Sequence, residues 1–528
     1  MLSKFENFAN NSELFGLKVP VLSLRFLQLV TTFLHWQMPS LLTRCIICLL
    51  YCVASITTAI ARELYVDCTS GSSTGECNVT APCRSIQQAV LTLQRNIPSV
   101  IWVAASAPCR ESSIQLGLKV QLQLAGLGGR AAIQFTGANG FSARDSQLSI
   151  SAVSLSGART AVMSNNTNLK LEDVTFESNG LAVAVEPASA AVNLTMSRCR
   201  FRQNLAAITA QLAIGSVLDV SNCDFANNGP DRNIVHVFGA GARVRIRDSL
   251  FVSSTLRVDV DALFGVVNIT LDKGGAIEIE RCRWENNIIH LEHALYTAVI
   301  LRAESGATAV RDAVFANNHL LAMPVPTAVT NVVFESTLVA IVSTNLAPQP
   351  PPIVTDVLFL NNSVFADLHL TSSALLSVEG GIAQIKGGAV VSNVLMLHNA
   401  FSAASSASSG PNLASSLLLV SAANAVENIT LQDCAVSISL ASLSYVGTLS
   451  ATGERVSGLA VARCSVQLDA RLPYASQVVG GLLIVQVASE HPVLDDVIVR
   501  GNRFVTQSSA ATTQINGGLA LFNFQTLT

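Results

Sequence analysis

Residues 168–179 read Asn168-Leu169-Lys170-Leu171-Glu172-Asp173-Val174-Thr175-Phe176-Glu177-Ser178-Asn179, and residues 193–204 read Asn193-Leu194-Thr195-Met196-Ser197-Arg198-Cys199-Arg200-Phe201-Arg202-Gln203-Asn204. Both follow one string, Φ-x-Φ-x-x-Φ-x-Φ-x-x-Asn, with Φ apolar. Leu218, Val220, Cys223, Phe225 and Asn228 give a third copy. Val244, Ile246, Ser249 and Phe251 give a fourth with Ser254 in the last slot, and Ile277, Ile279, Cys282, Trp284 and Asn287 a fifth. Alternation within each half is the period of a strand with one buried face. The two-residue polar interruption, as at Glu172-Asp173 or Arg247-Asp248, shifts the phase and bends the chain, so both halves keep their apolar side inward. The closing Asn suits a tight turn, because Asn tolerates the left-handed conformation and bonds its own backbone.

Phe176, Phe201, Phe225 and Phe251 lie 25, 24 and 26 residues apart. Looser copies follow at Val310/Ala313/Phe315/Asn318, Val329/Val332/Phe334, Val354/Val357/Phe359/Asn362 and Val391/Val394/Met396/Asn399. Two more, without Asn, are read at Ile429/Leu431/Cys434/Val436 and Leu459/Val461/Cys464/Val466, and a last one at Leu494/Val497/Val499/Asn502. Their wider spacing reads as loops inserted at turns. A period in the twenties leaves leucine-rich repeats and β-helices as candidates; the leucine-rich consensus is absent and no copy has a helical half. The expected fold is therefore all-β: a right-handed parallel β-helix solenoid of about a dozen coils, one strand pair per repeat, roughly 55 Å long at a strand spacing near 4.8 Å. Ser85 ahead of Ile86, Val90, Leu91 and Leu93 predicts a short, capped N-terminal helix.

Two resemblances follow from these residues. Lys273-Gly274-Gly275-Ala276-Ile277 with Trp284 to Asn287, and Gly387-Gly388-Ala389-Val390 with Met396 to Asn399, resemble the paired GGA[I/L/V] and FxxN motifs of polymorphic outer membrane protein repeats. More broadly, residues 63–505 resemble the pectin-lyase-like β-helix superfamily. The entry Tyr65-Val66-Asp67, a Cys-bracketed Ser/Gly loop and Ser85-Ile86-Gln87-Gln88-Ala89-Val90 match that family's start, where the last stretch is an amphipathic helix capping the first coil.

The N-terminus is organised differently. From Met38, MPSLLTR is a basic n-region, CIICLLYCVASITT an apolar h-region and Ala59-Ile60-Ala61 a small-residue cleavage site. The rival reading is a signal anchor, with membrane attachment through residues 41–61, since that run is nearly long enough to span. The expected organisation is 1–37, an upstream extension or mis-assigned start; 38–61, the signal; 62–115, a disulfide-bearing cap and first coil; 116–508, β-helix repeats; and 509–528, the start of a further coil. That last stretch, with Asn516-Gly517-Gly518-Leu519-Ala520, opens like another repeat and suggests a continuing chain or end-to-end self-association.

Composition agrees with export of a coiled sheet. The chain is 50% hydrophobic, 13% charged and 5% aromatic, with net charge −3 and mean hydropathy +0.46. No basic block occurs, which excludes a nucleic-acid footprint. Of 12 cysteines, Cys68, Cys77, Cys83 and Cys109 cluster after the signal and are expected to form two disulfides, in any of three pairings. Asn78, Asn165, Asn193, Asn268, Asn361 and Asn428 head glycosylation sequons. Cys199, Cys223 and Cys282 share one inward slot, as do Cys434 and Cys464, and are expected to be buried free thiols beside the aromatics.

Carboxylate pairs are the first candidates for chemistry. Asp495-Asp496 resembles the paired aspartates of polygalacturonases, but it falls in the ordinary bend slot, and the accompanying Asn-x-Asp, Gly-His-Gly and Arg-Ile-Lys motifs are not found in order. Arg257, Asp259 and Asp261 share a strand face and could serve calcium or acid–base chemistry; a self-compensating charge row is the plainer reading. Arg243, Arg245 and Arg247 form a basic row that could meet an anionic glycan, against a plain exposed face. His290, Glu292 and His293 are too few for a metal site, and no cofactor motif occurs. The expected function is a non-enzymatic, secreted or cell-surface rod for adhesion, wall association or glycan contact. The alternative is a polysaccharide lyase or glycoside hydrolase, distinguished by acidic side chains clustered outward on neighbouring coils.

Overall fold

The computed structural model describes residues 61–528 apart from 138, 188, 230–232, 259–263, 273, 292–297, 323–330, 344–351, 369–374, 388, 406–411, 441–444, 471–476, 489–492, 509–513, 517–519 and 526–528. The signal region before Ala61, Asp259, Asp261, Glu292, His293 and Gly517 to Leu519 thus lie outside the described residues.

The chain winds into a right-handed parallel β-helix whose strands stack in register. Leu169, Leu171 and Phe176 sit under Leu194, Met196 and Phe201, and those under Leu218, Val220 and Phe225. Following this leading sheet from Arg62–Val66 to Val493–Arg500 passes fifteen strands. Fourteen steps at about 4.8 Å make a stack roughly 67 Å long. The capping helix α1 (Ile86–Leu91) is present, with Ser85 Oγ accepting from Gln88 N. It buries Ile86, Ala89 and Val90 against the first strands but leaves Leu91 77% exposed, so Leu91 is no part of its apolar face.

Each coil holds more than the expected strand pair. After the leading strand (Asn168–Glu172) and a short strand (Thr175–Glu177) comes a return strand (Leu181–Val185) that pairs with its equivalents above and below. From Thr255–Val258 onward a fourth sheet joins, running through Ile288–Leu291, His319–Ala322 and on to Arg503–Ser508. Of the segment read as a copy at Val329/Val332/Phe334, Val329 lies outside the described residues, and Val332 and Phe334 belong instead to a return strand, Asn331–Ser343. Apolar residues alternate there too, so the pattern does not distinguish sheets.

The anchor aromatics form one buried column. Phe176, Phe201, Phe225 and Phe251 stack with centroids 4.9, 4.6 and 4.5 Å apart, and Trp284, Phe315 and Phe359 continue the column.

The conserved-slot asparagines do not adopt the left-handed turn expected of them. The residue before each one does: Ser178, Gln203, Asn227, Asn286, Asn317, Asn361 and His398 all have φ between 51° and 54°. Asn179, Asn204, Asn228, Asn287, Asn318, Asn362 and Asn399 point inward and are buried. The corner forces one residue outside, at positive φ, and turns the next side chain in, where only a group able to donate and accept at once is satisfied. Asn204 Nδ2 donates to Asn228 Oδ1 at 3.1 Å and to the Phe176 carbonyl at 3.1 Å, while its Oδ1 accepts from Asn179 N and Nδ2, both at 3.0 Å.

The ladder also corrects the register of the late copies. Ile429 and Leu431 pair with Val394 and Met396, so Cys434 falls in the asparagine slot, five residues from its expected place. Cys464 does the same one coil later. Their thiols replace the amide, reaching the Met396 and Leu431 carbonyls at 3.6 and 3.7 Å.

Phe201→Ala is expected to cost about 3–5 kcal/mol in denaturant unfolding, and Asn204→Ala about 1–3 kcal/mol through the orphaned amide groups. A neutral Asn204→Ala would contradict the ladder's role.

Candidate functional site

Two concave surfaces lie along the leading sheet. The first is a polar groove of about 420 Å³ at the corner where each coil enters that sheet. Asn96, Lys119, Asp145 and Asn166 stand there on consecutive coils, each two residues before its strand and each left-handed, with φ from 47° to 61°. Positive φ lifts these side chains outward, and in later coils glycine takes the position at Gly215, Gly241 and Gly274. Beside them Gln121, Gln147 and Asn168 stack in register at the strand starts. The lining is therefore a column of amides, Gln121, Gln147 and Asn168, beside a mixed column in which Lys119 and Asp145 balance between Asn96 and Asn166, closed by Ser189. Amides both donate and accept, which suits ligands rich in hydroxyl groups.

The second surface is a shallow trough of about 360 Å³ lined by Arg243, Arg245, Glu278 and Arg311 around Ala276, Ala307 and Ala309. Part of the expected basic row is compensated: Arg245 pairs with Glu278 at 3.0 Å and Arg247 with Asp219 at 2.9 Å. Arg257 is on another face, paired in register with His290 in the fourth sheet. The structure therefore does not gather Arg243, Arg245 and Arg257 into one site.

Seven carboxylates, Glu172, Asp219, Asp224, Asp248, Glu278, Glu427 and Asp433, pair with arginines on the adjacent coil. Hydrogen bonding by Arg281 holds Asp248 below its usual range, and Arg463 brings Asp433 down to about 2. Lys170 and Arg198 similarly lower Glu172. Such groups are poor proton donors near neutrality. Asp496 sits with φ 49° at the bend between the leading and short strands and has no arginine partner among the described residues, and Asp495 is exposed beside it. Asp312 and Asp356 are left-handed at the same corner on successive coils, a carboxylate pair the sequence does not reveal because 44 residues separate them. Both project from a convex corner into solvent. Among the described residues, no group of three His, Cys, Asp or Glu side chains is placed to hold a metal, and no helix is long and apolar enough to cross a membrane.

The four clustered cysteines pair as Cys68–Cys109 and Cys77–Cys83. Cys199, Cys223, Cys282, Cys434 and Cys464 are free and buried. Burial pushes the Cys282 thiol up to about 12. Of the sequon asparagines, Asn193, Asn361 and Asn428 are exposed and Asn78 and Asn165 partly so, whereas Asn268 is only 2% exposed and is withdrawn from any modifying enzyme in the folded chain.

Glu111 is the one strongly buried carboxyl in the cap, 4% exposed, and its Oε1 accepts from Ile86 N at the start of α1. Desolvation raises its proton affinity despite the backbone bonds from Ile86 and Gln87.

Neither a family model nor a curated protein sequence matches the chain. Solved structures that resemble it include a rhamnogalacturonan lyase (10% identity, TM-score 0.34, 57% of this chain and 82% of that one). Others are the tailspike protein of E. coli bacteriophage HK620 in complex with a pentasaccharide (12%, 0.26, 75% and 78%) and a PL6 family alginate lyase (10%, 0.18, 87% and 100%). TM-scores of this size establish no residue correspondence. The class of protein is set by the chain's own stacked strands: a parallel β-helix.

Two outcomes are expected. A carboxyl whose proton affinity is higher when folded favours the folded state at low pH, and that contribution is lost as pH rises from the ordinary Glu value of about 4.3 through the raised one. Glu111→Gln keeps the acceptor oxygen and should therefore remove a fall in melting temperature that the natural protein shows over this rise; an unchanged pH profile would refute the assignment. Separately, alkylation followed by peptide mapping should leave the five buried thiols unlabelled in native protein and label all five after unfolding.

Proposed function

We propose that this chain is a secreted or cell-surface β-helix rod that contacts polysaccharide without cleaving it. The observation that carries the reading is the amide groove of Asn96, Gln121, Gln147, Asn166 and Asn168. Gln121, Gln147 and Asn168 repeat along the stack at about 4.8 Å, close to the length of one sugar residue in an extended glycan, so successive hydroxyl-bearing units can meet successive coils in the same way. Balanced charge in the lining suits a neutral chain. Two disulfides in the N-terminal region fit an oxidising environment. The non-enzymatic part of the reading rests on arginine-paired carboxylates and on the convex, solvent-open setting of Asp312/Asp356 and Asp495/Asp496.

A glycan array with the purified protein, paired with a reducing-end assay on the bound polysaccharides, tests both parts. Gln147→Ala with Asn168→Ala should weaken binding about tenfold, as expected for two lost hydrogen bonds, while product release stays at background. Turnover abolished by Asp312→Asn or by Asp495→Asn with Asp496→Asn would overturn the non-enzymatic reading, and absence of any glycan ligand would overturn the whole.

A further inference from the structure

We infer that the alanine-floored trough of the leading sheet is a second ligand site, specific for a carboxylated or sulfated glycan chain, with Arg243 and Arg311 as its anion contacts. The inference rests on the glycan-contact reading above and adds the ligand chemistry of a different surface.

The floor comes from residues at matching register. Arg243 pairs with Ala276 and Ala276 with Ala307, while Arg245 pairs with Glu278 and Glu278 with Ala309. On these two coils Ala276, Ala307 and Ala309 present only a methyl group outward, whereas Arg243 and Arg245 rise on one side and Arg311 on the other. The Gly-Gly-Ala-Ile segment explains the open entrance. Gly274 turns at φ 79°, and a Cβ on Gly275 would meet the Leu271 Cβ at 2.5 Å, so the chain enters the sheet with no side chain at either position. One coil later Gly306-Ala307 enters with equally small residues.

Charge selects the ligand. The lining sets three guanidiniums against one carboxylate, Glu278, which Arg245 engages. Of the nearby acids, Asp219 is committed to Arg247, and Glu280 and Asp248 to Arg281, while Asp312 is exposed to solvent at the bend. Among the described residues neither Arg243 nor Arg311 has an ion-pair partner. They stand two coils and four residues apart, so their Cα atoms are separated by about 16 Å at ordinary strand rise and spacing. A single small anion cannot bridge that distance, but an extended chain bearing an acidic group on successive sugars can, its apolar ring faces lying on the alanines. Guanidinium groups recognise carboxylate and sulfate through paired N–H donors.

The test is binding of the full-length protein to immobilised polygalacturonate, heparin and an uncharged glucan, measured at low and moderate salt. The natural protein should bind one or both acidic chains with salt-sensitive affinity; preference for polygalacturonate or heparin assigns carboxylate or sulfate. Arg243→Gln with Arg311→Gln should weaken that binding at least about tenfold. Ala307→Trp, which fills the trough without changing charge, should weaken it comparably. Arg198→Gln, removing a guanidinium paired with Glu172 elsewhere on the sheet, should change it less than about twofold. Thermal melts establish that each variant is folded, and if Ala307→Trp is not, the double glutamine variant decides alone. Failure to bind either acidic chain, or equal binding by the natural protein and the Arg243/Arg311 variant, overturns the inference. Retained binding of neutral glycans in that case leaves the broader reading standing; loss of all glycan binding removes both.

Discussion

The buried asparagine ladder is the constraint around which the molecule is organised. A primary amide brings two donors and two acceptor sites into an apolar core, and an unmet one costs about as much as a hydrogen bond is worth. Here each amide is satisfied by the amide one coil away and by a backbone carbonyl one coil back, that of Leu155 for Asn179 and of the stacked aromatic for the others, as Asn362 shows by bonding both Asn399 Oδ1 and the Phe315 carbonyl. Both demands are met together only when coils stack without slippage. The aromatic column three residues earlier adds dispersion and burial, but flat rings tolerate sliding, and the amides do not.

Much else follows from that corner. The short strand between the two bends is held to a few residues, so insertions collect elsewhere: between Asn287 and Asn318 the spacing is 31 residues, and between Asn318 and Asn362 it is 44. Where the slot departs from Asn, the replacements can still reach a neighbouring partner. Ser254 Oγ accepts from Asn228 N, and Cys434 and Cys464 each direct a thiol at the carbonyl their amide would have met. The outward residues, freed from packing, repeat at the same spacing, which turns a structural period into rows of like chemistry. The amide groove and the alanine-floored trough are both such rows, one neutral and one cationic.

Charge on the surface is arranged by the same stacking. Arg281 lies one coil beyond Asp248, Arg463 one coil beyond Asp433, and Arg198 one coil beyond Glu172. Exposed pairs of this kind add little stability singly. Their larger consequence is chemical, since a carboxylate held by a guanidinium is neither a proton donor nor a calcium ligand in waiting. Against that background, Arg243 and Arg311 have no ion-pair partner among the described residues, and both line the trough.

Strand periodicity, the bend and the aromatic column were legible in residues 168–204, because burial of alternate side chains writes itself directly into local sequence. So was the capping helix, through Ser85 and Ile86. The location of the asparagines was not: a turn-favouring residue next to a bend reads as the turn itself, and only the neighbouring coil, supplying acceptor and donor, makes the inward position tolerable. The late register failed for the same reason, since Cys434 and Cys464 match an apolar slot in one coil and are identified as ladder members only by the Met396 and Leu431 carbonyls facing them. Disulfide pairing, the grouping of Arg243 with Arg311, and the separation of Arg257 from both depend on contacts between residues tens of positions apart. Local sequence specified what each coil is made of; the stacking of coils decided which side chains meet, because in a solenoid every neighbour that matters for a site lies one full turn away along the chain.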